Sequence, residues 1–165
     1  MTLHETLEHW RRERERLAGI ESWVEDGKPA VPPSLRPSLD KYARLKPPEA
    51  KQALRELRRE LEKDAFLRMF AAFERELRAT FAAWLKTKCG TSTPVEEIEE
   101  DLPEMLGVLE IARRLEPRFD QSQFGHATTV RDVRNKLVHR GFAVPMAYDL
   151  EDLHKKFAAV IALFK

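Results

Sequence analysis

Apolar residues recur along this chain at intervals of three, four and seven, a period that predicts helices over most of its length. From Thr2 to about Asp26, Leu3, Leu7, Trp10, Leu17, Ile20 and Val24 form a thin seam on an otherwise charged helix. Between residues 27 and 48, Pro29, Pro32, Pro33, Pro37 and the Pro47-Pro48 pair forbid a continuous helix. That linker has room for one short helical turn, Ser38 to Leu45, and Pro48 suits the first position of the helix that follows. The chain thus divides into an N-terminal helix with a Pro-rich linker, 1–48, and a bundle over 49–165.

The bundle opens with a stretch from Glu49 to Lys88 that contains neither proline nor glycine. Its first part carries Leu54, Leu57 and Leu61 on one face, and a bend near Asp64 is open. In its second part Phe66, Phe70, Phe73, Leu77, Phe81 and Trp84 keep helical spacing. Such a stripe reads as the central core helix rather than a ligand pocket. Cys89-Gly90 ends it. Thr93-Pro94-Val95-Glu96 then predicts a capping box with proline at the first helical position, and Pro103 is placed to split the helix that follows. Leu106, Leu109, Ile111 and Leu115 form the expected inner face up to Pro117. After a loop over 118–125, a helix from about Gly125 to Arg140 turns Val130, Val133 and Leu137 inward and stops at Gly141. Asp149 caps a last helix with Leu150, Leu153, Phe157, Val160, Ile161 and Phe164 inside. The fold class is all-α, an up-and-down helical bundle with an N-terminal helical extension.

Composition agrees with this fold. Six glycines in 165 residues, with 35% charged and 42% hydrophobic, suit a helical protein better than a sheet protein. Twenty-nine basic residues against twenty-eight acidic ones exclude a strongly electropositive nucleic-acid binder, so any such site is a local patch. The Arg11–Arg16 run reads either as an RNA-binding cluster or as a solvated face stitched by Glu8 with Arg12 and Arg11 with Glu15. We favour the solvated face. The one cysteine, Cys89, reads as a structural thiol in a reducing compartment. No apolar run follows the N-terminus and none is long enough to span a membrane, so the expected location is the cytoplasm.

The segment that carries candidate chemistry runs from Arg131 to Gly141: Arg-Asp-Val-Arg-Asn-Lys-Leu-Val-His-Arg-Gly. On a helix Asn135 and His139 lie one turn apart, whereas Arg134 and His139 are about 140° apart. Arg134 flanks the core face through Val130 and Val138. If this helix meets its own copy across a two-fold axis, arginine and histidine from both chains line one cleft. Histidine titrates near neutrality and serves as acid or base, and arginine offers a fork of donors to phosphate oxygens. Arg131, Lys136 and Arg140 make the neighbourhood basic, with Arg118 nearby, against Asp120 and Asp132. A histidine in the last turn also satisfies free carbonyls and the helix dipole, a purely structural role.

The phrase Arg134-Asn135-Lys136-Leu137-Val138-His139-Arg140-Gly141 resembles the Arg-Asn-x-x-x-His segment of HEPN domains, small all-helical modules of which many cut RNA without metal. The order of helices over residues 49–165 is similar as well. The resemblance implies that Arg134 and His139 are the catalytic pair and that Asn135, the polar residue after the arginine, joins them by orienting the histidine or binding substrate. The local basic charge marks Arg131, Lys136 and Arg140 as phosphate contacts. The resemblance implies Glu74 as an accessory acid facing the motif, where the residue alone reads equally as a solvated surface glutamate. It further implies RNA as substrate, a homodimer through the motif helix, and a toxin or phage-defence setting with an antitoxin protein. In some such toxins a tyrosine two places beyond the histidine is modified by the partner; Gly141 stands there instead. No cofactor is expected, and no metal, since no histidine or carboxylate cluster has ligand spacing. The alternative is a non-catalytic helical module for protein, nucleic-acid or nucleotide binding. The narrow seam of helix 2–26 favours it, because so thin a stripe needs something to pack on.

Overall fold

Thr2 starts the first helix, α1 (Leu3–Glu25), with a reciprocal capping box. The Thr2 hydroxyl accepts from the Glu5 amide at 3.1 Å, and the Glu5 carboxylate accepts from the Thr2 amide at 2.7 Å. Two of the N–H groups left open at a helix start are thereby satisfied. The computed structural model describes residues 1–27, 42–117, 119, 121–140 and 149–165, excluding the side chains of 121–123, 126, 136, 137, 139 and 140. Most of the linker, its proposed turn from Ser38, and the stop at Gly141 fall outside the described residues.

The second helix, α2 (Pro47–Cys89), is 43 residues long, about 65 Å at the usual rise. It begins at Pro47, one residue before the predicted start, and runs uninterrupted through Asp64. The Asp64 carboxylate pairs there with Arg68 one turn on, at 2.7 Å. Gly90 ends it in the left-handed conformation, φ 62°, which a side chain would disfavour.

Helix α1 lies antiparallel along α2. The Leu3 amide donates to the Glu76 carboxylate, while Glu21 pairs with Arg58, so partner numbers fall as α1 advances. Its seam serves two cores. Leu3, Leu7 and Trp10 enter the main one, and Leu17, Ile20, Trp23 and Val24 pack with Tyr42, Ala50 and Leu54 in a second. Leu61 touches both. The narrow stripe therefore has its partner within the chain, which removes the reason for seeking one elsewhere. Only α1 and the short segment around Tyr42 and Leu45 pack on this half of α2 among the described residues, and Leu57 is left 42% exposed.

In its second half α2 is central: the five other described helices all touch it. Phe66, Phe73, Leu77 and Phe81 are fully enclosed, and Phe73 stacks on Phe157 of the last helix with centroids 3.9 Å apart. After Gly90, α3 (Val95–Asp101) has Pro94 as its N-cap, and no side chain caps it. The predicted capping box is absent because the helix begins one residue later, with Pro94 in the N-cap place expected for Thr93, whose hydroxyl is bonded to that of Thr91 at 2.9 Å. A break over 102–104 separates α3 from α4 (Met105–Leu115), as Pro103 foretells. The inner face of α4 is Met105, Val108, Leu109 and Ala112; Leu106 and Ile111 are partly buried, and Leu115 is exposed.

Helix α5 (Gln121–Arg140) starts four residues earlier than Gly125, and Phe124, Ala127 and Val130 are its buried stripe. Val138 is 50% exposed rather than on the core face. Eight residues advance a helix by two turns and about 80°, enough to rotate it away from Val130. Asp149 caps α6 (Leu150–Ala162) by accepting from the Glu151 amide at 2.9 Å. All six residues assigned to its inner side, Leu150 through Phe164, are buried. Every element among the described residues is helical, and none is long and apolar enough to cross a membrane.

Candidate active-site cleft

Arg131, Arg134 and Asn135 are three and four residues apart on α5, so they share one face of the helix. That face opens onto a cleft of about 210 Å³ between α5, the start of α4 and the middle of α2. Helix α2 lines it with Phe70 and Glu74, one turn apart, and Glu104 begins the α4 wall. Glu74, singled out as an acid facing the motif, is thus in the same cleft as Arg134 and Asn135.

Two contacts hold Arg134. Its Nη1 donates to Asn135 Oδ1 at 3.0 Å, and its guanidinium carbon lies 6.0 Å from the centre of the Phe70 ring. A guanidinium near an aromatic ring at this distance is attracted by its quadrupole. Phe70 is itself fixed by edge-on contacts with Phe73 and Phe157, so the core supports the arginine from below.

Arg131 is less satisfied. Its Nη2 reaches, among the described residues, only to Asp132 Oδ1 at 3.5 Å, and its buried Nε has no hydrogen-bond partner there. Among the described residues, no ion pair within 4.0 Å joins Glu74 or Glu104 to either arginine. Two guanidiniums and two carboxylates therefore share one cleft without neutralising each other by contact. The basic character read from residues 118–140 is offset in space by acids from two other helices.

Glu104 was not among the residues singled out from sequence. It belongs to the acidic run after Glu96, which reads as favourable charge near a helix N-terminus. The signal that points to it is Pro103, which breaks the helix and makes Glu104 the N-cap of α4. The Glu104 side chain makes no capping hydrogen bond. Gly107 fixes the backbone here, because a Cβ on it would lie 2.4 Å from Pro103 Cγ. Only glycine lets the proline ring fold so closely over the first turn of α4.

The backbone of α5 carries His139 one turn beyond Asn135. The side chains of His139, Lys136 and Arg140 lie outside the described residues, as do Arg118 and Asp120. Elsewhere, the charged run of α1 is stitched differently from expectation. Arg11 pairs with Glu8 at 2.7 Å and with Glu151 of α6 at 3.3 Å, and Arg16 pairs with Glu13 at 3.8 Å. Those carboxylates raise the Arg11 pKa further, Glu151 foremost. Beside them the rings of His4 and His154 stand 6.3 Å apart.

The chain matches no protein-family model, no curated protein and no solved structure.

Proposed function

We propose that this chain is a metal-independent endoribonuclease of the HEPN type, acting as a homodimer through α5. The carrying observation is that Arg134, steadied by Asn135 and Phe70, opens with Arg131 onto the cleft that also holds Glu74. In this reading a base removes the proton of an RNA 2′-hydroxyl, and the resulting oxygen attacks the adjacent phosphorus. The bond to the 5′-oxygen breaks, leaving a 2′,3′-cyclic phosphate and a 5′-hydroxyl. His139 is the general acid or base. Arg134 stabilises the charge that builds on the phosphate oxygens, worth most where water is excluded. Asn135 positions Arg134, Glu74 is the accessory acid, and Arg131, Lys136 and Arg140 contact flanking phosphates. The setting that suits such an enzyme is a toxin–antitoxin or phage-defence system, with an antitoxin protein as partner.

A second reading is a non-catalytic module for protein, nucleic-acid or nucleotide binding. The specific observation in its favour is the two carboxylates, which temper the attraction of the cleft for a bare polyanion. Incubation of purified protein with RNA in EDTA, beside His139→Ala and Arg134→Ala, separates the two. Cleavage by the wild type, lost in both variants, supports the nuclease. An intact dimer with no cleavage leaves the binding module.

A further inference from the structure

The carboxylate left without a role in that chemistry is Glu104. It is an N-cap residue whose side chain does not cap, on a backbone pinned by the close approach of Pro103 to Gly107. It lines the same cleft as two arginines yet forms no contact ion pair with either. Glu104 is exposed, so water satisfies its carboxylate and both oxygens stay available to an occupant of the cleft. An occupant that complements the whole cleft needs an anion for the arginines and hydrogen-bond donors for the carboxylates. A bare phosphate or polyphosphate supplies only the first.

A nucleotide supplies both, and its base decides how well. Single-stranded RNA presents Watson–Crick edges to side chains. A carboxylate is a fork of two acceptors with no donor. Guanine offers two adjacent donors, N1–H and the 2-amino group, which match that fork. Adenine and cytosine each offer one amino group beside an acceptor nitrogen, and uracil one N–H between two carbonyls whose lone pairs oppose the carboxylate. We propose that Glu104 is a specificity-determining residue that accepts from the guanine edge of a single-stranded RNA nucleotide, while Arg131 and Arg134 hold the neighbouring phosphate. This deepens the nuclease reading by naming the base at its site. As a statement about binding, it does not need His139 to cut.

The test is calorimetric titration of the full chain with 5′-GMP, 5′-IMP, 5′-AMP and 5′-UMP, repeated for Glu104→Gln and Glu104→Ala. Wild type is expected to bind GMP about tenfold or more tighter than UMP, with IMP weakened by loss of the 2-amino group. Both variants are expected to keep the wild-type melting temperature and to bind the four nucleotides alike. Equal affinities in the wild type, no binding of any nucleotide, or a guanine preference that survives in both variants overturns the role of Glu104. Guanine preference without RNA cleavage in EDTA sinks the nuclease and keeps the base-reading site; cleavage without the preference does the reverse.

Discussion

Arg134 donates from Nη1 to the Oδ1 of its chain neighbour Asn135 at 3.0 Å, so consecutive residues of one helix turn work as a unit at the cleft. Neighbours on a helix point about 100° apart, an angle that the length of the arginine side chain lets it close. The bond uses one donor of a guanidinium that has several, and because the carboxamide is neutral it leaves the positive charge intact.

Changing Asn135 to Asp keeps the shape but makes the acceptor anionic. The pair becomes a half-buried ion pair, and Arg134 is drawn from the cleft toward its neighbour. If the proposed nuclease activity holds, RNA cleavage falls by about tenfold or more with the melting temperature almost unchanged, because the effect is on charge rather than packing. Asn135→Ala should cost less than Asn135→Asp. The reverse order, from single-turnover rates on one RNA, argues that Asn135 does more than position Arg134.

Gly107 tests how the α4 wall is built. A methyl group there meets Pro103 at 2.4 Å, far inside van der Waals contact, and the obstacle is a rigid ring. Gly107→Ala should destabilise the fold by about 1–3 kcal/mol, despite the better helix propensity of alanine. Adding Pro103→Gly should recover most of that loss, because it removes both Cγ at 2.4 Å and Cβ at 2.6 Å. Denaturant unfolding of the two single variants and the double measures the coupling. Additive losses mean that Pro103 is not what Gly107 accommodates.

The pH dependence of stability has one predicted contributor in the pair of rings joining α1 to α6. The His154 pKa lies below its ordinary value of 6.5, chiefly through partial burial, then through His4 and Arg11, with Glu76 and Glu8 opposing. A lowered value means that the unfolded chain binds the proton more readily than the folded one. In the window between the two pKa values stability therefore rises with pH. This contribution is fully present above the unfolded value and is lost as pH falls through the folded one. His154→Gln should flatten the fall in melting temperature as pH drops below the ordinary histidine value of 6.5, relative to wild type. Parallel curves for the two proteins would assign the slope to other groups.

Much of this architecture was legible along the chain. The Phe66–Trp84 stripe and the apolar face of the last helix lie where their periodicity puts them, because a fully buried face leaves a dense apolar pattern. Legibility failed where burial was partial. Leu57 and Leu115 match their neighbours in spacing but are each 42% exposed. Thr93 has the look of a cap, yet its hydroxyl is engaged by Thr91 in the turn before the helix.

At the site the division is sharper. Chain order alone determined that Arg131, Arg134 and Asn135 share a helix face, because 3.6 residues per turn is a local property. Whether acids from α2 and α4 meet that face depends on contacts between residues thirty to sixty positions apart, which no local period encodes. Glu74 was nameable by analogy of pattern; Glu104 needed the break at Pro103 and the glycine that lets the ring settle on α4. Local geometry set the basic face of α5, and only packing set two carboxylates opposite it.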